Sequence, residues 1–415
     1  ESVPKFSRVV SREEIRSNDY NLNIPRYVDS SEAAEHWDVY ASMFGGIPTA
    51  EIEELGEFWT AFPALKKALF TESGIPYVNV SVDDIKSAIK SHPDVVGFED
   101  AFNAAFSTFP AFLKEELIDR MESIEISKAE TVLSADIFER LKEIPLIDKY
   151  AAFQLLDDDW TGISIDLEML QTEGFAATKK VDPNLVIKKK DGKDQEVQEG
   201  WVGHIIPFDL VQATLLSAET DELHGLESRL AEIPSEYESI LDEMTEEDKE
   251  SCNDVLTEEG DAFVPKEVSK KIKELKKDRS PESVALRTLL EKVESLVKSE
   301  KEIKAEIKAK SAALQAKTKD TIESLSDEQA LDLLEKKWIA PLIESIHKLP
   351  DTVIDSLVSK IQALQNKYAT TFFEVEQQIS ETEATLSGMI DDLEGNEYDM
   401  LGLNELKKLL GGSAE

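Results

Sequence analysis

A long helical pattern runs from Leu286 to Leu325 and reads LRTLLEKVESLVKSEKEIKAEIKAKSAALQAKTKDTIESL. Its apolar residues recur at intervals of three or four residues, or sums of these, which places them on one face of an α-helix. This first seam consists of Leu286, Leu290, Val293, Val297, Ile303, Ile307, Leu314, Ile322 and Leu325. No proline interrupts the run, so the pattern predicts one amphipathic helix whose apolar face needs a partner.

A second seam lies between residues 357 and 393 and has fewer breaks. It consists of Leu357, Ile361, Leu364, Tyr368, Phe372, Val375, Ile379, Leu386, Met389 (or Ile390) and Leu393. Between the seams, Ser326 and Gln329 form a capping-box pattern that starts a shorter helix. Two long helices separated by a capped connector predict a helical hairpin. The partner of such long seams is either internal or another protein, and both alternatives stay open here.

Composition divides the chain into four regions. Residues 1–30 form a connector, and residues 31–175 form a helical domain punctuated by prolines. Residues 176–212 resemble a β-hairpin and an aromatic linker, and this is the only place where we predict strands. Residues 213–415 are long-helix, coiled-coil-like material. The sequence therefore predicts a mainly α fold: a multi-helical domain, a small β-hairpin insert with its turn at Asp191-Gly192, and long antiparallel helices.

Charge is distributed unevenly along the chain. The 46 basic and 86 acidic residues give a net charge of −40, which disfavours a free-standing DNA-binding protein. Residues 219–261 contain 17 acidic and 2 basic residues, whereas residues 266–319 contain 16 basic and 9 acidic residues. These opposite charges predict two elements that fold back on each other, and chance composition on solvated faces is the alternative. We expect the basic segment to neutralise the acidic segment rather than to contact DNA phosphates.

The residue inventory excludes several kinds of site. Cys252 is the only cysteine, which excludes an internal disulfide and a cysteine metal cluster. A single cysteine fits a cytoplasmic location, and an acidic secreted protein without cystines is the alternative. No apolar run is long enough to span a bilayer, so no membrane association is expected. GxGxxG, Walker, Asn-Pro-Pro and HExxH motifs are all missing from the sequence. We therefore predict that this chain alone holds no cofactor and catalyses nothing.

The most distinctive segment is VVSREEIRSNDYNLNIPRYVD, residues 9–29. It closely resembles the exit of the methylase domain in modification subunits of type I restriction–modification systems, where such a run follows the last strands of the catalytic fold. Weaker similarities to the long-tailed branch of that family extend over nearly the whole chain. They lie at DVYASMFGGIP (38–48), IPLIDKY (144–150), GWVGH (200–204) and GNEYD (395–399).

The resemblance implies a parent subunit that methylates adenine N6 in DNA with S-adenosylmethionine. In that family, two modification subunits assemble with one specificity subunit, and a restriction subunit can join. The missing motifs lead us to expect the chemistry upstream of Glu1. This chain is then expected to be the non-catalytic C-terminal part of the subunit and to reach DNA only through the assembled complex.

Two groups of residues are candidate functional sites. Asn21, Asn23, Arg26 and Tyr27 directly follow the methylase domain in the resemblance, so they are candidates for stabilising its substrate-facing edge or contacting DNA. The alternative is that these residues form a purely structural turn in which the asparagine side-chain amides are hydrogen-bonded within the chain. The second group is a candidate interface with the specificity subunit, for which a purely internal hairpin is the alternative. It comprises Leu357, Ile361, Leu364, Tyr368, Phe372, Ile379 and Leu386.

Two other classes of protein fit parts of the sequence. The net charge of −40 fits an acidic helical interaction protein or DNA mimic without enzymatic activity. The aromatic stripe of Phe98, Phe102, Phe106 and Phe109, interpreted as core, argues against a uniformly DNA-like surface. A coiled-coil structural protein would be helical almost throughout, which the predicted hairpin and the upstream prolines disfavour.

Overall fold

The computed structural model describes residues 7–28, 36–74, 76–190, 193–257, 260–278 and 280–410. The described chain is mainly α-helical, as predicted, and its strands form small antiparallel sheets. The chain divides into two compact units. The first unit comprises residues 1–100 together with 351–415, and the second comprises residues 101–350.

The chain begins with short helices and a small sheet. Up to residue 106 the elements are α1 (Arg12–Ser17), a 3₁₀ turn (Ile24–Arg26), α2 (Val39–Phe44), β1 (Ile47–Pro48), α3 (Thr49–Glu53), α4 (Gly56–Ala61), α5 (Leu65–Leu69), β2 (Phe70–Gly74), β3 (Tyr77–Val80), α6 (Ile85–Lys90) and α7 (Pro93–Phe106). The side chains of Ser11, Asp38 and Asp84 accept hydrogen bonds from backbone amides at the starts of α1, α2 and α6. These N-caps explain where the three helices begin.

The first unit contains a three-stranded sheet in the order β1-β3-β2, so our prediction of strands only in residues 176–212 was wrong. Ile47 pairs with Val78 and Phe70 with Val80, both antiparallel. These strands are two to five residues long, too short for an alternating pattern to stand out among the neighbouring helices. Gly46 precedes β1 at φ +88°, and a Cβ there would lie 3.2 Å from Tyr77 Cβ, so the turn requires glycine.

The second unit is built from longer helices and a β-hairpin. Its elements are α8 (Phe109–Leu113), a π-helical turn (Lys114–Asp119), α9 (Ile126–Arg140), α10 (Lys149–Glu173), a 3₁₀ helix (Phe175–Lys179), β4 (Val181–Lys190), β5 (Lys193–Gly203), α11 (Phe208–Leu215), α12 (Ser217–Glu243), α13 (Glu246–Ser251), α14 (Pro265–Leu275), α15 (Pro281–Glu323), α16 (Asp327–Trp338) and α17 (Ala340–His347). One buried core includes Phe102, Phe106 and Phe109 of the predicted aromatic stripe. Another, formed by α12 to α15, includes Cys252 and Leu290.

The hairpin predicted in residues 176–212 is confirmed. β4 and β5 pair antiparallel from Val181 with Gly203 to Lys190 with Lys193, and the predicted Asp191-Gly192 turn lies outside the described residues. At its base, Trp201 packs against the core, and the ammonium of Lys319 lies 3.8 Å from the centroid of the Trp201 ring. Phe208 is also buried, so the aromatic linker joins the hairpin to the helical body as predicted.

A buried carboxylate ties the hairpin base to α10 and α16. The indole N–H of Trp338 donates to Asp166 Oδ2 at 2.7 Å, and the Lys337 ammonium also contacts this carboxylate. Lys337 Nζ donates in addition to the carbonyl of Ile205 at 2.6 Å. Asp166 is only 5% exposed, and both partners satisfy the hydrogen-bonding capacity of its buried carboxyl oxygen.

The first seam forms one helix, α15, and its antiparallel partner is α12. Along the pair, Lys317 lies against Glu219, Lys310 against Glu222 at 2.7 Å, and Lys292 against Glu243 at 3.1 Å. The acidic and basic segments therefore fold back on each other, as their charges predicted. The second seam falls largely in the first unit, so the partner that the structure gives α15 within the second unit is α12.

After α17 the elements are α18 (Leu349–Lys367), α19 (Phe372–Asp391) and α20 (Glu397–Leu409). The second seam is thus two helices rather than one. Thr371 and Glu374 form a reciprocal capping box that starts α19 after the break. Within the first unit, α18 is held by the ion pairs Lys90–Asp351 at 2.6 Å and Lys86–Asp355 at 2.8 Å.

Candidate interaction surface

The four predicted DNA-proximal residues lie in the turn after α1. The Asn21 side-chain oxygen accepts the backbone N–H of Asn23 at 2.9 Å, and the Tyr27 hydroxyl donates to the Asn21 carbonyl. Arg26 ends the 3₁₀ turn and has an exposed side chain. Exposed apolar residues in the same turn are Tyr20, Leu22 and Ile24. Asn21 and Tyr27 therefore fix the turn, and Arg26 is the member best placed to meet a ligand.

The predicted interface residues separate into two groups at the break between α18 and α19. The residues that are buried or partly buried are Leu357, Ile361, Leu364 and Tyr368. On α19, Phe372, Ile379 and Leu386 are 61%, 53% and 44% exposed. The structure therefore presents only the α19 group to a partner.

An exposed aromatic surface forms where α2 and α19 contact each other. Its members, each at least 36% exposed, are Trp37, Val39, Tyr40, Met43, Phe44, Phe372 and Phe373. A shallow depression of about 340 Å³ within it is lined by Trp37, Met43, Phe372 and neighbouring residues. Tyr40 also stacks on Tyr77 with ring centroids 4.8 Å apart, which fixes its orientation. Contiguous apolar surface of this kind typically marks a protein interaction site.

A polar network fixes α2 and the end of α18 beside this surface. Lys367 Nζ lies 2.8 Å from Glu51 Oε2, and the Tyr368 hydroxyl also contacts Glu51. The backbone N–H of Asp38 donates to the Tyr368 hydroxyl at 3.1 Å, and the Tyr77 hydroxyl donates to the Asp38 carboxylate at 3.1 Å. The aromatic surface is therefore anchored by several hydrogen bonds.

Within this network, the pKa values of Tyr368 and Lys367 both lie above their usual values. Burial, followed by the hydrogen bond to Glu51, raises the pKa of Tyr368. Burial alone would lower the pKa of Lys367, but its hydrogen bonds to Glu51 and Tyr368 leave that pKa above its usual value. A neutral phenol beside a charged ammonium suits a structural support, since neither group is tuned to exchange protons near pH 7.

The electrostatic surroundings of α19 and α20 are acidic. Residues 368–406 contain 10 acidic and no basic residues. On α19, Glu374, Glu376 and Glu381 are exposed beside the apolar side chains. The surface therefore combines an apolar centre with carboxylates and would repel nucleic acid.

The described residues contain no group of three or more His, Cys, Asp or Glu side chains that could hold a metal ion. Cys252 is fully buried, and burial raises the pKa of its thiol, which disfavours the reactive thiolate. Across the same described part of the chain, no helix is long and apolar enough to cross a membrane.

Sequence reasoning missed the α2 half of the aromatic surface. Its segment, HWDVYASMF (36–44), has Trp37, Tyr40 and Phe44 at spacings of three and four, which is typical of one helix face, although Trp37 itself precedes the first residue of α2. The same spacing would have identified an aromatic helix face.

Comparison with known proteins bears on the N-terminal end of the chain. No curated protein and no solved structure matches the chain. Residues 1–36 match the family model described as N-6 DNA methylase. The matched segment includes the turn that holds Asn21 and Arg26 and ends before α2. The N-terminal segment of this chain is thus similar to N-6 DNA methylases.

Proposed function

We propose that this chain is the non-catalytic C-terminal region of the modification subunit of a type I restriction–modification system. The match of residues 1–36 to N-6 DNA methylases carries the proposal, and the resemblance of residues 9–29 to the methylase exit supports its finer part. The chain has neither a GxGxxG turn nor an Asn-Pro-Pro motif, so it does not fit S-adenosylmethionine. We assign cofactor binding and adenine methylation to other parts of the subunit, in the cytoplasm.

The role we propose for this region is assembly. The aromatic surface and the exposed apolar residues of α19 would bind the specificity subunit, alongside a second modification subunit and, in the restriction complex, a restriction subunit. Burial of these side chains would remove apolar area from water, which is the main favourable term in association. DNA would be engaged through the assembled complex. There, Arg26 would contact a phosphate, and Arg26→Ala would reduce the salt dependence of DNA binding by about one phosphate contact.

Co-purification tests the assembly role. The triple variant Phe372→Ser, Phe373→Ser and Ile379→Ser should lose most of its retention on the tagged cognate specificity subunit, because it removes exposed apolar contacts without opening a core. The matched control is Val132→Ser with Ile165→Ser, since both residues are exposed apolar positions in the second unit. Equal retention of the triple variant and the control would contradict docking through α19.

A second candidate function is an acidic protein that competes with DNA for DNA-binding enzymes. The continuous acidic stretch of residues 368–406 is the observation that favours it. A DNA mimic would bind such enzymes through its carboxylates, so this binding would weaken strongly with salt and be displaced by duplex DNA. Binding to the specificity subunit that resists salt and depends on Phe372 would instead support the assembly role.

A further inference from the structure

A separate cavity lies entirely within the second unit, between α12, the chain around residues 261–265, and α15. Its volume is about 300 Å³, the lower end of the range for small-ligand sites. Nothing in the proposed assembly role uses this cavity. Its lining has a definite chemistry, because aromatic and proline side chains alternate with carboxylates.

The apolar lining includes two aromatic rings and two prolines, together with Leu241, Ala262 and Val297. Tyr237 and Phe263 lie with ring centroids 6.2 Å apart and planes inclined at 53°. Pro234, inside α12, and Pro265, at the start of α14, complete this wall. Both aromatic side chains are only partly buried, so they line the cavity and also support the neighbouring core. Inclined aromatic faces of this kind attract cations through their electron-rich surfaces.

The polar lining is entirely acidic among the described residues. Glu238, Asp261 and Glu300 line the cavity, and no Lys, Arg or His does. Lys304 is not part of the lining, but its ammonium forms an ion pair with Glu300, with Nζ 2.5 Å from Oε1. Glu238 has no ion-pair partner within the part of the chain that the structure describes. The cavity therefore has an excess of negative charge.

Tyr237 links the aromatic wall to the acidic lining. Its hydroxyl donates to Glu300 Oε2 at 3.1 Å, which fixes the ring. Burial, followed by this hydrogen bond, raises the pKa of Tyr237 to about 12, so the phenol stays neutral. The ring is thus held in place and adds no charge that a bound cation would have to accommodate.

We propose that this cavity binds an organic cation of the alkylammonium or alkylguanidinium class. The charged head lies among the carboxylates, and the methylene chain packs against Tyr237 and Phe263. A lysine or arginine side chain of a protein partner and a free polyamine share this chemistry. The proposal rests on the cavity itself and not on the proposed assembly function.

Calorimetric titration of the 415-residue chain tests the proposal with defined probes. N-acetylarginine amide and putrescine represent the two sources of the cation, and N-acetylcitrulline amide is a neutral isostere of the first. We expect at least one cationic probe to bind about tenfold or more tightly than the citrulline probe. Tighter binding of the arginine probe assigns the site to a protein side chain, and tighter binding of putrescine assigns it to a free polyamine. Equal affinity of charged and neutral probes, or no binding of either cation, would overturn the proposal.

Variants locate the binding in the cavity. Glu238→Gln and Tyr237→Leu should each weaken cation binding by about three- to tenfold, because they remove a charge and a π face. Glu227→Gln is the matched control, since it removes a carboxylate from the same helix about 16 Å away along the helix axis. Glu238 is exposed, so its substitution tests the site even where Tyr237→Leu disturbs folding. A Glu238→Gln variant that binds as tightly as the control would exclude this cavity as the site.

Discussion

The two seams have similar helical spacing and different environments. In α15, Leu286, Leu290 and Val293 are buried within the second unit. In α19, Phe372 and Ile379 are more than half exposed, although they continue the second seam. Helical spacing therefore predicts which residues share a face. It does not predict whether this chain covers that face.

Charge explains part of the difference. α15 carries many basic residues, and α12 presents carboxylates that pair with Lys292, Lys310 and Lys317 along its length. α19 also carries acidic residues, but the ion pair found for them lies at its C-terminal end, where Asp391 contacts Lys407 of α20 at 2.7 Å. An internal partner of opposite charge thus exists for α15. α19 has only this terminal ion pair with α20 among the described residues, and its exposed apolar side chains are what we propose an external partner covers.

The largest expected effect is the loss of a buried leucine in α15. Leu290 is fully buried, so Leu290→Ala should lower the free energy of unfolding by about 2–5 kcal/mol through lost burial and a cavity. Leu386→Ala is the matched control, because the same atoms are removed at a position that is 44% exposed. That control should change the free energy of unfolding by no more than about 0.5 kcal/mol.

Urea unfolding followed by circular dichroism measures both variants. Similar losses for Leu290→Ala and Leu386→Ala would mean that the α19 face is covered in solution. That outcome would remove the contrast between the two seams.

A smaller effect tests the break that separates α19 from α18. Thr371 accepts the Glu374 N–H at 3.1 Å, and Thr371→Ala should destabilise α19 by about 1 kcal/mol. Thr371→Ser keeps the capping oxygen and is the control. Faster amide hydrogen exchange in the first turn of α19, in the alanine variant only, is the expected readout. Unchanged exchange in Thr371→Ala would favour one continuous helix through residues 368–371.

Much of the fold could be predicted from local signals. The unbroken spacing of 286–325 predicted α15, and the apolar residues on either side of Asp191-Gly192, Leu185 to Ile187 and Val197, predicted the hairpin. The opposite charges of residues 219–261 and 266–319 predicted their contact. Each of these features depends on neighbours in sequence or on average composition, which a single sequence contains.

Other features depend on contacts between distant residues. The hydrogen bond between Trp338 and Asp166 joins residues 172 positions apart in the sequence, and no local sequence pattern predicts it. α12 was harder to recognise, since Pro234 lies inside it and its composition is strongly acidic. The start of α19 was present in the sequence as Thr371 and Glu374, but the apolar seam concealed it. The exposure of Phe372 could not be predicted, because helical spacing shows which face of the helix a residue lies on but not whether another part of the chain packs over that face.

The paired charges of α12 and α15 offer a test of the internal partnership. Lys310→Glu with Lys317→Glu places like charges opposite Glu222 and Glu219, so the melting temperature should fall, most clearly at low salt. Adding Glu219→Lys and Glu222→Lys should restore most of the loss. Unchanged melting, combined with weaker DNA binding by the assembled complex, would instead assign these lysines to DNA phosphates.

The smallest effect is a pH dependence at the base of the hairpin in the second unit. His204 Nδ1 lies 2.6 Å from Asp182 and Nε2 lies 3.2 Å from Glu173. The hydrogen bond to Asp182, opposed by burial and helped by Glu173, raises the pKa of His204 above 6.5. Glu173 is hydrogen-bonded to Lys180 and to His204. The bond to Lys180, followed by the bond to His204, lowers the pKa of Glu173 below 4.5.

The sign of this dependence follows from the two shifts. Protonated His204 stabilises the folded state fully below its unfolded pKa, and this contribution is lost as the pH rises through the raised folded pKa. The Glu173 contribution is present above its unfolded pKa and is lost as the pH falls through the lowered folded pKa. The stability difference between the wild type and His204→Gln should therefore be larger near about pH 5.5 than near about pH 9. The exposed His224 on α12 provides the control His224→Gln. A difference that stays constant across this range, or grows toward alkaline pH, would show that protonation of His204 does not stabilise the hairpin base.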